Sequence, residues 1–133
     1  MRTRNLASVL CLSAALADEI SDQYRLLMRP AAAANMALQR VVMEGDLAAV
    51  ATNATGLQAA FARIEAFWTQ RGTADAMQFA KNVQAVGKEV QDAATAGNRE
   101  ATVAAAGRIA ANCGSCHMAH RERLPDGSFQ LKP

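Results

Sequence analysis

The sequence predicts an all-α protein built as an antiparallel, up-down-up-down four-helix bundle. Apolar or small residues recur at spacings of three and four through four successive segments, the period of one helical face. The breaks between segments are short, which favours antiparallel neighbours. No β-rich run competes with this pattern.

The first segment runs through Ile20, Tyr24, Leu27, Ala31, Ala34, Leu38 and Val41 and stops near Gly45. The second follows Asp46, a natural N-cap, through Leu47, Val50, Ala54, Leu57, Phe61, Ile64 and Trp68, and Gly72-Thr73 breaks it. The third carries Phe79, Val83, Val86, Val90 and Ala93 and ends at Ala96-Gly97-Asn98. The fourth seam is Val103, Ala106, Ala110, Cys113 and His117. Leu124-Pro125-Asp126-Gly127-Ser128 then reads as a helix stop and turn. The tail beyond it, Phe129 to Pro133, is expected either to lie extended over the bundle or to be disordered.

With 133 residues the chain is long enough for one domain. Arg2 and Arg4 precede an apolar run from Leu6 to Leu16 and an Ala15-Leu16-Ala17 cleavage site, the pattern of a secretory signal peptide too short to span a bilayer. The expected division is residues 1–17 as signal and 18–133 as the mature domain. Cleavage removes Cys11, so Cys113 and Cys116 are the only cysteines left and no structural disulfide is expected. Leu10 argues against lipidation of Cys11, because a small residue should precede a lipidated cysteine. Losing Arg2 and Arg4 takes Lys+Arg from 14 to 14 − 2 = 12, equal to the 12 Asp+Glu. The mature chain is formally neutral, which argues against a nucleic-acid partner. Aromatics are only 5% of the chain and alanine is the commonest residue, so a core this poor in large side chains would pack thinly without a filler.

Cys113-Gly114-Ser115-Cys116-His117 is a C-x-x-C-H run, the spacing of a c-type haem attachment site. On a helix the two cysteines fall at i and i+3 and the histidine at i+4, all on one face. Each thiol can add to one porphyrin vinyl group, and the imidazole can ligate the iron. One covalent haem c is expected, seated inside the bundle because the fourth seam leads into these residues. A zinc site from Cys113, Cys116, His117 and His120 is disfavoured, since a tetrahedral ion needs ligands on all sides and one helical face supplies one. A thioredoxin-like redox pair would need a βαβ context that is missing here. In bacteria this haem attachment takes place outside the cytoplasmic membrane, so the export signal and the motif support each other and imply a periplasmic location.

A C-terminal C-x-x-C-H on the last of four amphipathic helices resembles the cytochrome c-prime family of bacterial periplasmic haem proteins, including its methionine-ligated low-spin relatives. The resemblance covers nearly all of residues 18–133. Tyr24-Arg25, Asn53, the Trp68 region and Arg121, four residues after the motif histidine, add to it. It implies thioether bonds at Cys113 and Cys116, His117 as the proximal ligand, Arg121 flanking that ligand, and Arg25 near a haem propionate. His120 replaces the family's usual tyrosine and is expected at the surface or bonded to a propionate.

The distal side departs from the family. An apolar side chain five residues after the tyrosine usually covers the sixth iron position; here that register lands on Arg29, between Met28 and Pro30. Pro30 cannot donate to Leu26, so a kink is expected and the helix phase stays open across it. Met28 turned inward would ligate the iron, raise its potential and suit electron transfer. Leu27 or Ala31 over the iron would instead leave a five-coordinate centre for nitric oxide or carbon monoxide. Met36, Met43, Met77 and Met118 have weaker claims to the iron.

The first expectation is therefore a mono-haem electron carrier serving a periplasmic redox partner protein. The alternative is a haem protein that binds a diatomic gas. An interaction module without haem would require the motif, the export signal and the seam phase to coincide. No enzyme is expected, since the seams lack paired carboxylates and the Glu-x-x-His motifs of di-iron bundles. The resemblance also implies a homodimer through the first two helices.

Overall fold

The computed structural model describes the backbone of residues 6–133 and side chains from Ala14 onward. The basic opening residues and the Cys11 side chain lie outside the described residues. The helices are α1 (Leu6–Glu44), α2 (Leu47–Arg71), α3 (Ala74–Thr95), α4 (Arg99–Ala106) and α5 (Ile109–His120), followed by strands β1 (Arg121–Arg123) and β2 (Phe129–Leu131).

The helix ends follow from the residues placed there. Gly45 and Gly72 take the left-handed conformation, with φ of 77° and 68°, that a residue with a Cβ rarely adopts. The Gly45 N–H donates to the Val41 carbonyl and the Gly72 N–H to the Thr69 carbonyl, closing the last turns of α1 and α2. Asp46 caps α2 as expected, its carboxylate accepting from the Ala49 N–H at 3.0 Å. Asn98 does the same for α4, accepting from the Ala101 N–H at 3.0 Å. Connections this short turn each helix back along its predecessor.

The expected fourth helix is present but interrupted. At Gly107 and Arg108 the backbone stays in the right-handed helical region, yet Arg108 N–H bonds to the Ala105 carbonyl, a 3₁₀-type tightening between α4 and α5. Its buried seam also differs from the expected one. Val103 and Ala110 face solvent, while Thr102, Ala105, Ala106 and Ile109 are buried. Thr102 tolerates burial because its hydroxyl donates to the Asn98 carbonyl at 2.7 Å. The two seams merge at Cys113.

α1 stays helical through Pro30. The carbonyl that loses its donor belongs to Leu26, and both Leu26 and Pro30 are exposed, so water can serve it. The helix has 39 residues against 25 and 22 for α2 and α3. Residues 14–19 are all exposed and burial begins at Ser21. No helix among the described residues is long and apolar enough to cross a membrane.

The core lies between α1, α2 and α3, with Leu38, Val50, Leu57, Val83 and Val90 essentially sealed from solvent. α2 packs most extensively on α3, and the last helix also packs on α3. α1 scarcely approaches α5. Leu57→Ala should cost about 2–5 kcal/mol in urea denaturation, the range for a sealed leucine whose site cannot fully collapse.

The tail is ordered and extended. α5 ends at His120, where Arg121 swings to φ −123° and ψ 137°. β1 and β2 pair antiparallel with Arg121 opposite Leu131. The turn between them places Pro125 second and Gly127, at φ 86°, fourth, with the Gly127 N–H donating to the Leu124 carbonyl at 2.9 Å. Asp126 secures it by accepting from the Ser128 N–H and hydroxyl. Leu131 buries against α1, where its N–H donates to the hydroxyl of buried Ser21 at 3.2 Å.

Candidate functional site

α5 turns one face of its motif inward. Cys113, Cys116 and His117 are half-buried, while Gly114, Ser115 and Met118 face solvent, as the i, i+3, i+4 spacing dictates. The three inward side chains line a single small cleft of about 20 Å³, room for about one water molecule. Tyr24 and Met28 enter it from α1, Phe61 and Ile64 from α2, Phe79 and Val83 from α3, and its surface is almost wholly apolar. A second, larger cavity of about 230 Å³ shares Tyr24 and Met28 with the first. It is more polar, bounded by Ser21 and Arg25 of α1 and by Arg121, Phe129 and Gln130 of the hairpin. The six residues singled out from the sequence, Arg25, Met28, Cys113, Cys116, His117 and Arg121, thus border two adjoining spaces.

Arg121 reaches this place by a different route from the one expected. It is the first residue of β1 rather than a helical neighbour one turn beyond His117. The pairing of Arg121 with Leu131 draws the chain out of the helix, so the hairpin sets the direction of this guanidinium.

The α1 register is also defined. Met28 borders both cavities, whereas Leu27 faces a separate groove against α2 with Pro30 and Ala34. Arg29 points to solvent, and Ala31 is buried without lining either cavity. Met36, Met43 and Met118 are 73%, 80% and 80% exposed, which removes them from the site. Met77 packs against the core elsewhere.

Burial sets the electrostatics of the motif. It raises the Cys113 thiol above its ordinary value. Burial, with the negative fields of Asp75 and Cys113, pushes Cys116 up to about 11. Both sulfurs are therefore protonated at neutral pH, the reverse of a reactive redox pair, which needs a lowered pKa. Burial and then the Arg121 charge lower His117, which leaves a neutral imidazole with a lone pair to donate. Burial raises the Tyr24 hydroxyl, with Arg121 pulling the other way.

His120 has an arrangement the sequence did not reveal. Its Nε2 lies 2.8 Å from an Asp75 carboxylate oxygen, and its ring is 5.1 Å from that of Trp68. Trp68 in turn packs on Tyr24 and Phe67. The pair ties the end of α5 to the start of α3. Among the described residues no three His, Cys, Asp or Glu side chains come together as a metal-holding group. Trp68 Nε1 is buried without a hydrogen-bond partner, beside the cavity-lining Tyr24.

Partial desolvation pushes the Asp75 carboxyl up, but the His120 hydrogen bond and charge, with the Ala76 N–H, outweigh it and hold the group below its ordinary 3.8. A depressed carboxylate stabilises the fold above its unfolded pKa and loses that contribution as pH falls through the folded value. Asp75→Asn should therefore lower the melting temperature at neutral pH. The two melting curves should converge below pH 3.8, which a thermal scan across pH would check.

No protein-family model, curated protein or solved structure matches this chain. The functional reading therefore rests on the chemistry of the site. Two thiols and a neutral imidazole lie on one helix face beside a small apolar cleft, the donor chemistry that a covalently held haem would use. The adjoining cavity offers two guanidinium groups to the acidic side chains of such a group.

Proposed function

We propose that the protein is a periplasmic mono-haem c-type cytochrome of the cytochrome c-prime kind, carrying single electrons to a periplasmic partner protein. The observation that supports this most is the convergence of Cys113, Cys116 and His117 on the same cavity as Met28 of α1. Cys113 and Cys116 would tether the haem through thioethers, and His117 and Met28 would hold its iron. Arg25 and Arg121 would meet the propionates. The haem would supply one-electron redox chemistry. Phe61, Ile64, Phe79 and Val83 would exclude water from it, and burial with methionine ligation would favour the reduced form.

Export as expected from the sequence accords with the described residues. Cleavage after Ala17 would remove no described buried residue and would leave Asp18 and Glu19 in the first turn, where acidic side chains favour a helix N-terminus. The apolar lining of the first cavity supports the second reading. With Met28 displaced, that lining would leave a dry sixth position open to nitric oxide or carbon monoxide.

Protein matured in a bacterial periplasm should show Soret absorbance that survives extraction with acidified acetone. Colourless protein, or colour lost to the solvent, would overturn the haem reading. The ferric spectrum then separates the two functions. The weak red band of methionine ligation marks the electron carrier, and a high-spin spectrum that shifts with carbon monoxide marks the gas binder.

A further inference from the structure

The C-terminal hairpin does more than cover the bundle. Phe129 is a large aromatic residue that stays 39% exposed, so burial alone does not explain it. It contacts both arginines of the second cavity through different atoms. Its carbonyl accepts a hydrogen bond from Arg25 Nη2 at 2.8 Å, and the Arg121 guanidinium lies 3.9 Å from the centre of its ring. Arg25 also pairs with Asp22. Among the described residues Arg121 has no carboxylate within ion-pair reach, and its charge rests on the aromatic face.

Two guanidinium groups bordering one cavity repel each other, so an arrangement that holds both there suits an anion with more than one acidic group. The hairpin supplies the hold. The Leu131 N–H is fixed to Ser21, the Lys132 N–H donates to the His120 carbonyl at 2.9 Å, and Gln130 bonds across the strands to Glu122 at 2.6 Å. Those contacts fix Phe129 in the wall of the cavity. Arg121 itself lines this cavity beside Tyr24, Arg25 and Met28.

We propose that the C-terminal hairpin is a clamp for the acidic edge of the haem, in which Phe129 is the positioning residue that aims Arg25 and Arg121 at the two propionates. This rests on the haem reading above and adds the part played by the hairpin. Phe129 acts through the two arginines, Arg25 at its carbonyl and Arg121 at its ring.

The test uses the haem-loaded protein and the resonance Raman band of propionate bending, which moves when a propionate loses a hydrogen bond. Phe129→Ala and Phe129→Leu should keep covalent Soret absorbance but shift this band in the direction given by Arg121→Gln. Phe129→Tyr, which restores the aromatic face, should return it to the parent position. Phe129→Leu retains an apolar side chain, so a shift there isolates the ring's stacking from its bulk. A band unmoved in both Phe129→Ala and Phe129→Leu while Arg121→Gln shifts it would overturn the positioning role. A band unmoved in all of them would overturn the cradle itself. A parent protein without covalent haem would bring down both readings, and the absent Soret band would identify that outcome.

Discussion

Cys113→Ser combined with Cys116→Ser should give a colourless protein destabilised by more than about 3 kcal/mol, beyond the ordinary range of substitutions and in the class to which loss of a metal centre belongs. The reason lies in the packing. α1 and α5 scarcely touch, and the space between them is lined by side chains from all the long helices. A covalent haem stays on the unfolded chain, but only the native state would bury its apolar faces, so it would stabilise that seam. Domains have about 5–15 kcal/mol in hand, so the variant should lose a large share of its stability and unfold at a clearly lower urea concentration. Ser115→Ala is the control. Ser115 is exposed, its hydroxyl bonds to the Ala111 carbonyl of its own helix, and the change should move stability by no more than about 0.5 kcal/mol. Urea denaturation and the haem content of periplasmic extracts measure both. A double variant that unfolds at the parent's urea midpoint would show that the cavity needs no filler.

The α1, α2 and α3 faces were legible because their signal is local. Val50, Ala54, Leu57, Phe61 and Ile64 repeat at the helical period, and all five are buried. Asp46 and Gly72 are equally readable, since a cap and a left-handed residue depend on the chain within a few positions. The fourth seam misled because hydropathy ranks valine above threonine. Val103 looked like core and Thr102 did not, yet a hydroxyl that bonds back to the Asn98 carbonyl behaves as a small apolar surface. The phase recovers at Cys113, so the motif was placed correctly although the turns before it were not.

The hairpin and the His120 pair were hidden for another reason. Leu124 to Ser128 announced a turn, but whether the chain would fold back onto α1 depended on Ser21, 110 residues away from Leu131. His120 and Asp75 are 45 residues apart, and neither has a local pattern that names the other. Such contacts follow from the bundle once it is assembled. The same holds for Met28. Sequence spacing left Met28, Leu27 and Ala31 open across Pro30, and helical continuity through the proline puts Met28 at the cavity and Leu27 in the α1–α2 groove.

That register makes Met28→Ala the sharpest functional prediction. The variant should lose the red band of methionine ligation and show a lower midpoint potential. It should also bind carbon monoxide in the ferrous state at least about tenfold more tightly, a change of about 1.4 kcal/mol. The shortened side chain leaves Phe61, Ile64 and Val83 around an apolar space that a diatomic gas can enter without displacing a ligand. Leu27→Ala tests the register rather than the chemistry. It enlarges the groove on the other face of α1 and should leave spectrum and potential unchanged. Arg29→Ala, at an exposed position, should do the same. If Leu27→Ala rather than Met28→Ala alters the iron spectrum, α1 is rotated about its axis relative to this arrangement. If the parent already binds carbon monoxide as tightly as Met28→Ala, then Met28 is a wall residue, the sixth position is open, and the protein belongs with the gas binders.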